Sequence, residues 1–286
     1  LYEPLLLLEN LPNPIDYDLK NPDRIIHFKP LVVPEVVRVE EIRDRKTAQV
    51  GKIDLDDPKT LNEILAKAID GNKLKKGDKE GEKVAYAPNQ ETPYTGWAKE
   101  IYANGQREML LHLKNGKQDG LMAMWYENGQ KKLVISFKEG KQDGPQTSWH
   151  ENGQKRTWDQ YKDGKKDGLE TWWYENGRKK QEATYKDGKQ DGFMNRWYED
   201  GRKKGNASYK NGKLDGLMML WYGNGQKRLK RTFENGKLIT AVAWKLNGRK
   251  CPVTNIVNGN GISVWYNPDG TEKDRTTYKD GERVED

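Results

Sequence analysis

The residue types that most often carry catalysis or bind metals are few in this chain and lie far apart. Its 286 residues include three histidines, His27, His112 and His150, and one cysteine, Cys251. A single cysteine forms neither a disulfide nor a thiolate metal site within one chain. No histidine accompanies a nucleophile motif, and the glycine motifs that bind phosphate or dinucleotides are absent. The sequence therefore predicts a protein that is not an enzyme and uses no cofactor.

Carboxylates recur in short turns that only partly resemble calcium loops. The stretch from Asp163 to Asp167 reads Asp-Gly-Lys-Lys-Asp, and related stretches follow at regular intervals. Calcium loops use alternating oxygen-bearing residues, whereas the lysines here oppose a divalent cation. We expect no metal site.

Aromatic side chains are the strongest candidates for recognising a partner. Tryptophans recur every 24 residues, each followed by a tyrosine or a histidine. Rings with a polar edge suit recognition surfaces, although a tryptophan row also serves simply to hold a thin sheet together. Strand alternation predicts the tyrosines, with Trp172 and Met124, on the face opposite the tryptophan row, and this face is favoured for binding. The candidate partner-binding residues are Trp125, Trp149, Trp173, Trp197, Trp221, Tyr126, Tyr174, Tyr198, Tyr222 and Trp172.

These residues belong to a 24-residue unit that recurs six times without a gap. The units start at Gly96, Gly120, Gly144, Gly168, Gly192 and Gly216. We number positions within a unit from this glycine as zero, so that the tryptophans stand at position five and the tyrosines at position six. A fixed period of this length is typical of arrays in which each unit packs mainly on its neighbours. Near-identical units supply an asymmetric catalytic site poorly.

Aromatic residues between Asn-Gly and Asp-Gly turn signals predict that each unit is a β-hairpin. A three-residue turn with a left-handed glycine would pair position five with position eleven, so that Trp125 faces Lys131. We expect this turn to place positions one, three and five on the same face as positions thirteen, fifteen and seventeen. Cation–π contacts within these pairs and ladders of aromatic rings would then stabilise the sheet.

Four segments follow from this pattern. Prolines predict an extended arm over residues 1–55. Residues 56–95 would hold a short helix, capped by Asp57 and stopped by Gly71, that shields the first repeat, and a lysine-rich loop over residues 72–83. The regular repeats occupy residues 96–239, and residues 240–286 are two degenerate repeats that form a C-terminal cap. The predicted fold is mainly β, an elongated single-layer antiparallel sheet of hairpin repeats with one short helix.

Composition limits the partners of this sheet. Only 34% of residues are apolar and 33% are charged, which argues against a thick core, and the net charge is +7. Lysine pairs at positions eleven and twelve could track an anion, but their spacing also suits simple solubilising residues. Nucleic acid is disfavoured as a partner, and no apolar run is long enough for a membrane helix. The first residue is leucine, so a removed export signal is one interpretation, and an exported or envelope-associated location is favoured over the cytoplasm.

Two units carry a resemblance to a known family. Residues 120–143 read GLMAMWYENGQKKLVISFKEGKQD, and residues 168–191 read GLETWWYENGRKKQEATYKDGKQD. They resemble the MORN-repeat variant of many bacterial proteins, which are often labelled antitoxins of toxin–antitoxin systems. The resemblance is strong over about residues 94–239 and weaker over residues 240–286, and it implies an array of β-hairpins. The wider family is associated with scaffolding and with membrane lipids.

Residues and resemblance together predict a non-enzymatic repeat scaffold that mediates protein–protein interaction, as one subunit of a larger assembly. The alternative is an envelope-binding module that recognises a glycan or an anionic lipid. Choline-binding and glucan-binding repeats also stack tryptophan, tyrosine and glycine units. Their units are nearer 20 residues and begin with Gly-Trp, whereas here only Trp97 follows its glycine directly.

Overall fold

A computed structural model describes residues 53–79, 81–267 and 271–284. The proline-rich arm predicted over residues 1–55 therefore lies outside the described residues, except for its last three positions. No helix among the described residues is long and apolar enough to cross a membrane.

Helix α1 spans Pro58–Lys67 and begins as the sequence predicts. The Asp57 side chain accepts hydrogen bonds from the backbone N–H groups of Lys59 and Thr60, which caps the helix. The prediction that Gly71 stops the helix is wrong, because Ala68 is already extended. The next two residues form strand β1 (Ile69–Asp70), which pairs in parallel with the first strand of the repeats. Pairing at this edge of the sheet outweighs the helical periodicity of the sequence.

The lysine-rich stretch that was predicted as a loop is instead a hairpin. Strands β2 (Lys75–Lys79) and β3 (Glu82–Tyr86) pair antiparallel with unbroken register. Its second strand also contacts the first repeat, because the Ala85 N–H donates to the Gly116 carbonyl at 2.9 Å. Lysine is a poor strand former, so this hairpin depends on its neighbours rather than on its own composition.

The repeats form one long open sheet in which each strand pairs with the next along the chain. Strand β1 and seventeen later strands belong to this 18-stranded sheet. Their bounds are β4 Gly96–Ile101, β5 Arg107–Lys114, β6 Lys117–Trp125, β7 Lys131–Lys138, β8 Lys141–Trp149, β9 Lys155–Lys162, β10 Lys165–Trp173, β11 Lys179–Lys186, β12 Lys189–Trp197, β13 Lys203–Lys210, β14 Lys213–Trp221, β15 Lys227–Glu234, β16 Lys237–Ala243, β17 Asn255–Val257, β18 Asn260–Tyr266, β19 Glu272–Lys279 and β20 Glu282–Arg283. The predicted hairpin-repeat fold is confirmed.

The turn inside each repeat is the predicted three-residue turn. In the second repeat the Gly129 N–H donates to the Tyr126 carbonyl at 2.8 Å, and Gly129 has φ of 82°. Trp125 consequently pairs with Lys131. Glycine is needed here because a left-handed residue must follow the type I turn.

A second irregularity overturns the predicted sharing of faces. Beyond the turn the register shifts by one residue, so that Met124 pairs with Leu133 and Ala123 with Val134. The residue at position twelve is therefore an extra, bulged residue. Positions one, three and five share their face with positions eleven, fourteen and sixteen, which we call the tryptophan face. Positions two, four, six, twelve, thirteen, fifteen and seventeen form the other face, which we call the tyrosine face.

The turns between repeats also stack on one another. Glu139 and Gly140 form a two-residue turn with φ of 50° and 82°, and Lys138 pairs with Lys141. The Gly140 N–H donates to the Gln118 carbonyl of the preceding repeat at 2.7 Å. The Glu139 N–H donates to Asp119 Oδ2 at 3.1 Å, and the same bond recurs from residues 163, 187, 211 and 235. The aspartates of the predicted connections thus join successive turns.

Apolar clusters lie only near the two ends of the described sheet. At the first two repeats, Leu61 of α1 and Leu55 pack on the tryptophan face around Leu110 and Trp125. At the other end, strands β16–β18 pack on the last repeat around Leu229 and Phe233 of the tyrosine face, as two further clusters. None of the three clusters contains a residue between 144 and 212.

Candidate partner-binding site

The tryptophan row at position five is buried at one end and open along the rest. Trp125 is 1% exposed beneath the N-terminal segment. The other four, Trp149, Trp173, Trp197 and Trp221, are half-buried. Position one adds apolar surface to the same face, where Phe193 is 42% and Leu217 is 38% exposed. The tryptophan face from the third repeat onward is thus partly apolar and uncovered by any described residue.

The tyrosines at position six connect successive repeats. The hydroxyl of Tyr198 donates to the carbonyl of Trp221 in the next repeat at 2.8 Å. The same bond is made by Tyr102, Tyr126, Tyr174 and Tyr222, and His150 places its Nε2 3.2 Å from the Trp173 carbonyl. Tyr126, Tyr174 and Tyr198 are half-buried while their hydroxyls are bound to the backbone. Tyr222, at 6% exposed, is buried, so the prediction that it contacts a partner has no exposed ring to support it. Trp172, which the sequence places with these tyrosines, is 38% exposed.

The predicted stabilisation by aromatic ladders is not confirmed. Among the described residues the one ring pair is Trp97 with His112, at 4.9 Å between centroids. The position-six hydroxyls and the asparagines of the turns, such as Asn152, whose Nδ2 donates to the Glu175 carbonyl at 3.0 Å, form ladders of hydrogen bonds instead. Among the described residues, the position-five tryptophan rings of successive repeats form no ring pair with one another.

Lysines at positions eleven and twelve contact rings on opposite faces. Lys203 Nζ lies 5.4 Å from the ring of Trp221, and Lys204 Nζ lies 5.3 Å from the ring of Tyr198. The predicted cation–π partner at position eleven was the directly paired tryptophan. The observed partner is the tryptophan of the next repeat, because the bulge at position twelve separates the two lysines and directs them to different faces. The same arrangement joins Lys131 to Trp149 at 5.9 Å.

A groove lies between the tryptophans of the third and fourth repeats. Its volume is about 510 Å³, and the turn residues Asn152, Gly153 and Gln154 form its outer edge. Trp149 and Trp173 line it together with Lys155. Lys155 makes no ion pair and no ring contact within the described part of the chain. The groove therefore offers apolar walls beside an unpaired cation, which suits a ligand with an aliphatic group and a negative charge.

The tyrosine face of the middle repeats carries a charged cluster that the sequence analysis missed. Asp159 and Glu170 are only 3% and 2% exposed, and both bind Lys166. Lys166 Nζ lies 2.7 Å from Asp159 Oδ1, and Gln181 Nε2 donates to Glu170 Oε2 at 3.1 Å. Most other repeats hold neutral residues at the same positions, such as Ala183, and the last repeat has Arg231 at the position of Asp159. That departure from the repeat pattern was the available signal.

Burial and the shared lysine shift the titration of this cluster in different directions. Burial raises the pKa of the Asp159 carboxyl, and its bond to Lys166 offsets only part of that effect. Burial alone would also raise the pKa of Glu170, but the hydrogen bonds from Lys166 and Gln181 outweigh it and lower that pKa. Burial opposes the charge on Lys166, whose pKa is nonetheless raised because two carboxylates accept its hydrogen bonds. The cluster is internally paired and offers no free group to a ligand.

The candidate residues thus fall on two separate faces. The five tryptophans of position five lie on the tryptophan face, whereas Tyr126, Tyr174, Tyr198, Tyr222 and Trp172 lie on the tyrosine face. In the part of the chain that the structure describes, no three His, Cys, Asp or Glu side chains are placed to hold a metal ion. Nothing in this arrangement resembles a nucleophile with an adjacent base.

Comparison with known proteins supports this view of the repeats. A family model described as the MORN repeat variant matches residues 118–139 and 166–187. A search of curated proteins finds no match to the chain. MORN repeats form a non-catalytic module that is generally thought to mediate protein or membrane-lipid interactions. These two segments are similar to the MORN repeat variant, and the hairpin array around them is consistent with MORN repeats.

Proposed function

We propose that this chain is a non-enzymatic scaffold that mediates protein–protein interaction as a subunit of a larger assembly. The observation that carries the proposal is the tryptophan face from the third repeat onward, where half-buried tryptophans lie beside exposed apolar side chains and lysines. Tryptophan and other aromatic residues dominate binding energy at protein interfaces when a partner buries them. The regular spacing of the repeats would present several such sites in a fixed geometry.

The tyrosine face remains a predicted contact surface, but we place the main contact on the tryptophan face. The position-six hydroxyls already donate to backbone carbonyls of the next repeat. A partner could therefore reach only the rings, and their loss would weaken the sheet as well as the interface. The tryptophan face carries no comparable ladder from its rings.

Photochemical cross-linking at matched positions tests the proposal. Phe193 on the tryptophan face and Trp172 on the tyrosine face are similarly exposed, at 42% and 38%. Each would be replaced by benzoylphenylalanine in the full chain, and the native extract would be irradiated. We expect a discrete protein adduct from position 193. Adducts confined to position 172, or no protein adduct at either position, would contradict the proposal.

A membrane-lipid or glycan module is the alternative, favoured by the exposed lysine rows beside tryptophans and by the general association of the family with membranes. Flotation with vesicles of neutral lipid, alone or mixed with an anionic lipid, separates this alternative from the scaffold. Binding that requires the anionic lipid would favour it. Tryptophan fluorescence during titration with choline or glucans tests the glycan form.

A further inference from the structure

A groove beside a position-five tryptophan occurs at two places on the tryptophan face, and the chain's own residues cover one of them. A groove of about 340 Å³ between the first two repeats is bordered by Trp125 and Lys131 on the sheet and by Leu55 and Asp56 above it. Leu55 is buried against the cluster that contains Trp125, and Asp56 forms an ion pair with Lys131. Leu55 and Asp56 precede the helix, and Pro58 begins it.

The groove between the third and fourth repeats is similar to it two units further on, with Trp149 at the position that Ile101 holds in the first repeat. Residues of the two grooves differ by twice the repeat length, which places Trp173 at the position of Trp125. Lys179, the counterpart of Lys131, follows this groove in the chain, and Lys155 is the lysine that lines it. The remaining counterparts are Lys155 for Arg107 and Gly177 for Gly129. No described residue occupies this second groove. The covered groove therefore shows which chemistry the open groove accepts.

We propose that the open groove between the third and fourth repeats binds a short segment of a partner protein in which a leucine is followed by an acidic residue. The leucine would lie against the position-five tryptophan, as Leu55 does, and the carboxylate would pair with the position-eleven lysine, as Asp56 does. This inference rests on the proposed function and names the chemistry of its partner.

The covered groove and the open groove are alike only beside the turns. We therefore expect the ligand of the open groove to be an extended segment. Under α1 the floor of the tryptophan face is apolar, with Leu110, Ala123 and Val134 packed against the helix. Two repeats later the same positions hold Trp158, Thr171 and Glu182. A second leucine-rich helix would meet a buried threonine and a carboxylate there. The part that faces the segment before the helix, in contrast, offers a position-five tryptophan and a position-eleven lysine in both grooves.

Charge favours an acidic ligand at the open groove. Lys155, Lys179 and Lys203 are exposed along one edge of the face. Lys179 bonds Glu182 at 2.6 Å, but that pair is solvent-accessible, with half of the lysine side chain exposed. Only 18% of the Glu182 side chain is exposed, however, so a ligand carboxylate would share the lysine with Glu182 rather than replace it.

A labelled peptide with the sequence of residues 53–58 of this chain, IDLDDP, provides a defined probe. We expect saturable binding to the full protein by fluorescence anisotropy below about 1 mM, because short single-groove ligands bind weakly. A peptide carrying Leu55→Asp should bind at least about tenfold more weakly, since about 1.4 kcal/mol is tenfold and burial of one leucine exceeds that. No binding of the unmodified peptide, or equal binding of both peptides, would overturn the inference.

Charge reversal on the protein localises the binding. The triple variant Lys155→Glu, Lys179→Glu, Lys203→Glu reverses the exposed position-eleven lysines of repeats three to five, including Lys155 of the open groove. The matched control Arg156→Glu, Lys180→Glu, Lys204→Glu makes the same change in net charge on the tyrosine face. We expect the first variant to lose at least about tenfold in affinity and the control less than about threefold. Equal losses would mean non-specific attraction and would overturn the inference.

A peptide with the opposite charge controls for misfolding of the variant. The peptide with Asp56→Lys should bind the Lys155→Glu, Lys179→Glu, Lys203→Glu variant more tightly than the unmodified peptide does, which a misfolded variant would not allow. Failure of this rescue in a variant with unchanged circular dichroism contradicts the assigned ion pair. If position 193 cross-links to a protein while the peptide does not bind, the scaffold proposal stands and the leucine–acid assignment falls.

Discussion

The ends and the middle of the described sheet are held together by different interactions. The first two repeats bury Leu110 and Trp125 under α1, and the last repeat buries Leu229 and Phe233 under the C-terminal strands. The middle repeats, residues 144–212, contribute to no apolar cluster. They depend on ladder hydrogen bonds, on bonds between turns and on one charged cluster. The middle repeats therefore need no covering element, and both faces of the sheet stay accessible there. At the two ends, one face is covered.

The C-terminal end differs further because its turns meet in a closed set of hydrogen bonds. The Gly259 N–H donates to the Ile239 carbonyl, and the Gly281 N–H donates to the Gly259 carbonyl. The Leu238 N–H then donates to the Gly281 carbonyl at 3.0 Å. In the regular repeats the corresponding bonds run only from one turn to the next. The sheet therefore curls around a small core at this end and stays open elsewhere.

The largest expected effect comes from removing the cation of the middle cluster. Lys166→Met would leave Asp159 and Glu170 buried without their partner, which costs about 3–5 kcal/mol of the free energy of unfolding. Urea denaturation at neutral pH measures the loss. Without the cation, burial raises the pKa of both carboxyls, so the loss should shrink as the pH falls from neutral towards their ordinary pKa values. A loss that stays constant with pH would contradict this account of the cluster.

A matched triple replacement sharpens that result. Asp159→Ala, Lys166→Gln, Glu170→Met gives the third and fourth repeats the residues found one repeat later, at 183, 190 and 194. Replacing a buried charged set by neutral residues is often neutral or stabilising, so we expect no loss of stability. The raised pKa of Lys166 adds stability that is complete below its ordinary value of 10.5 and is lost as the pH rises through the folded-state pKa. The triple variant should therefore lose less stability than the native chain at alkaline pH.

The second effect separates the covered part of the tryptophan face from the open part. Leu61→Ala removes a side chain that is 4% exposed beneath the helix and should cost about 2–5 kcal/mol. Leu217→Ala makes the same change at a leucine that is 38% exposed on the open face, where we expect less than about 1 kcal/mol. Thermal unfolding measures both. Equal losses would mean that the open face is buried in the protein.

A smaller effect tests the ladder of tyrosine hydroxyls. Tyr198→Phe removes the bond to the Trp221 carbonyl and should cost about 0.5–1.5 kcal/mol. Tyr209→Phe is the control, because its hydroxyl makes no hydrogen bond to any described residue. Urea midpoints of the two variants give the difference. Equal midpoints would show that the ladder contributes nothing to stability.

The smallest effect concerns the lysines over the tryptophan rings. Lys203→Met removes a cation 5.4 Å from the Trp221 ring and should cost about 0.5–1 kcal/mol. Lys155→Met, at the equivalent position without a ring contact, should leave stability unchanged. The two variants are compared by urea denaturation at the same salt concentration. A loss at Lys155 as large as that at Lys203 would assign the effect to net charge.

The period of the sequence predicted much of the fold, because turn chemistry acts locally. Glycines at fixed spacing determine the left-handed turn positions, so the hairpins and the Trp125–Lys131 pairing follow from a few neighbouring residues. The cap of α1 is likewise local, because it depends on the Asp57 side chain. The bulge at Lys132 was not predicted, because no residue type at that position requires one. The bulge depends on the pairing register along the rest of the two strands. The β2–β3 hairpin and the early end of α1 were missed for a similar reason, because both depend on contacts with the first repeat.

The faces of the candidate residues could be predicted from the sequence, whereas their contact with a partner stays a prediction. The tryptophan and tyrosine rows were correctly placed on opposite faces by strand alternation. The covering of Trp125 by Leu55 depends on packing between segments distant in sequence, which the period alone does not contain. The cluster at Asp159 could have been noticed as an exception to the repeat, but its burial depends on the register of two hairpins.

Hydrogen exchange in the native state, followed strand by strand, tests the central claim most directly. If ladders and turn bonds hold the middle repeats without a core, amides of β8–β13 should be protected to nearly the same degree as those of β4–β7 beneath the helix. Their tryptophan-face side chains should meanwhile remain open to chemical labelling. Rapid exchange throughout β8–β13, or protection of Trp173 from labelling in the isolated chain, would contradict the account.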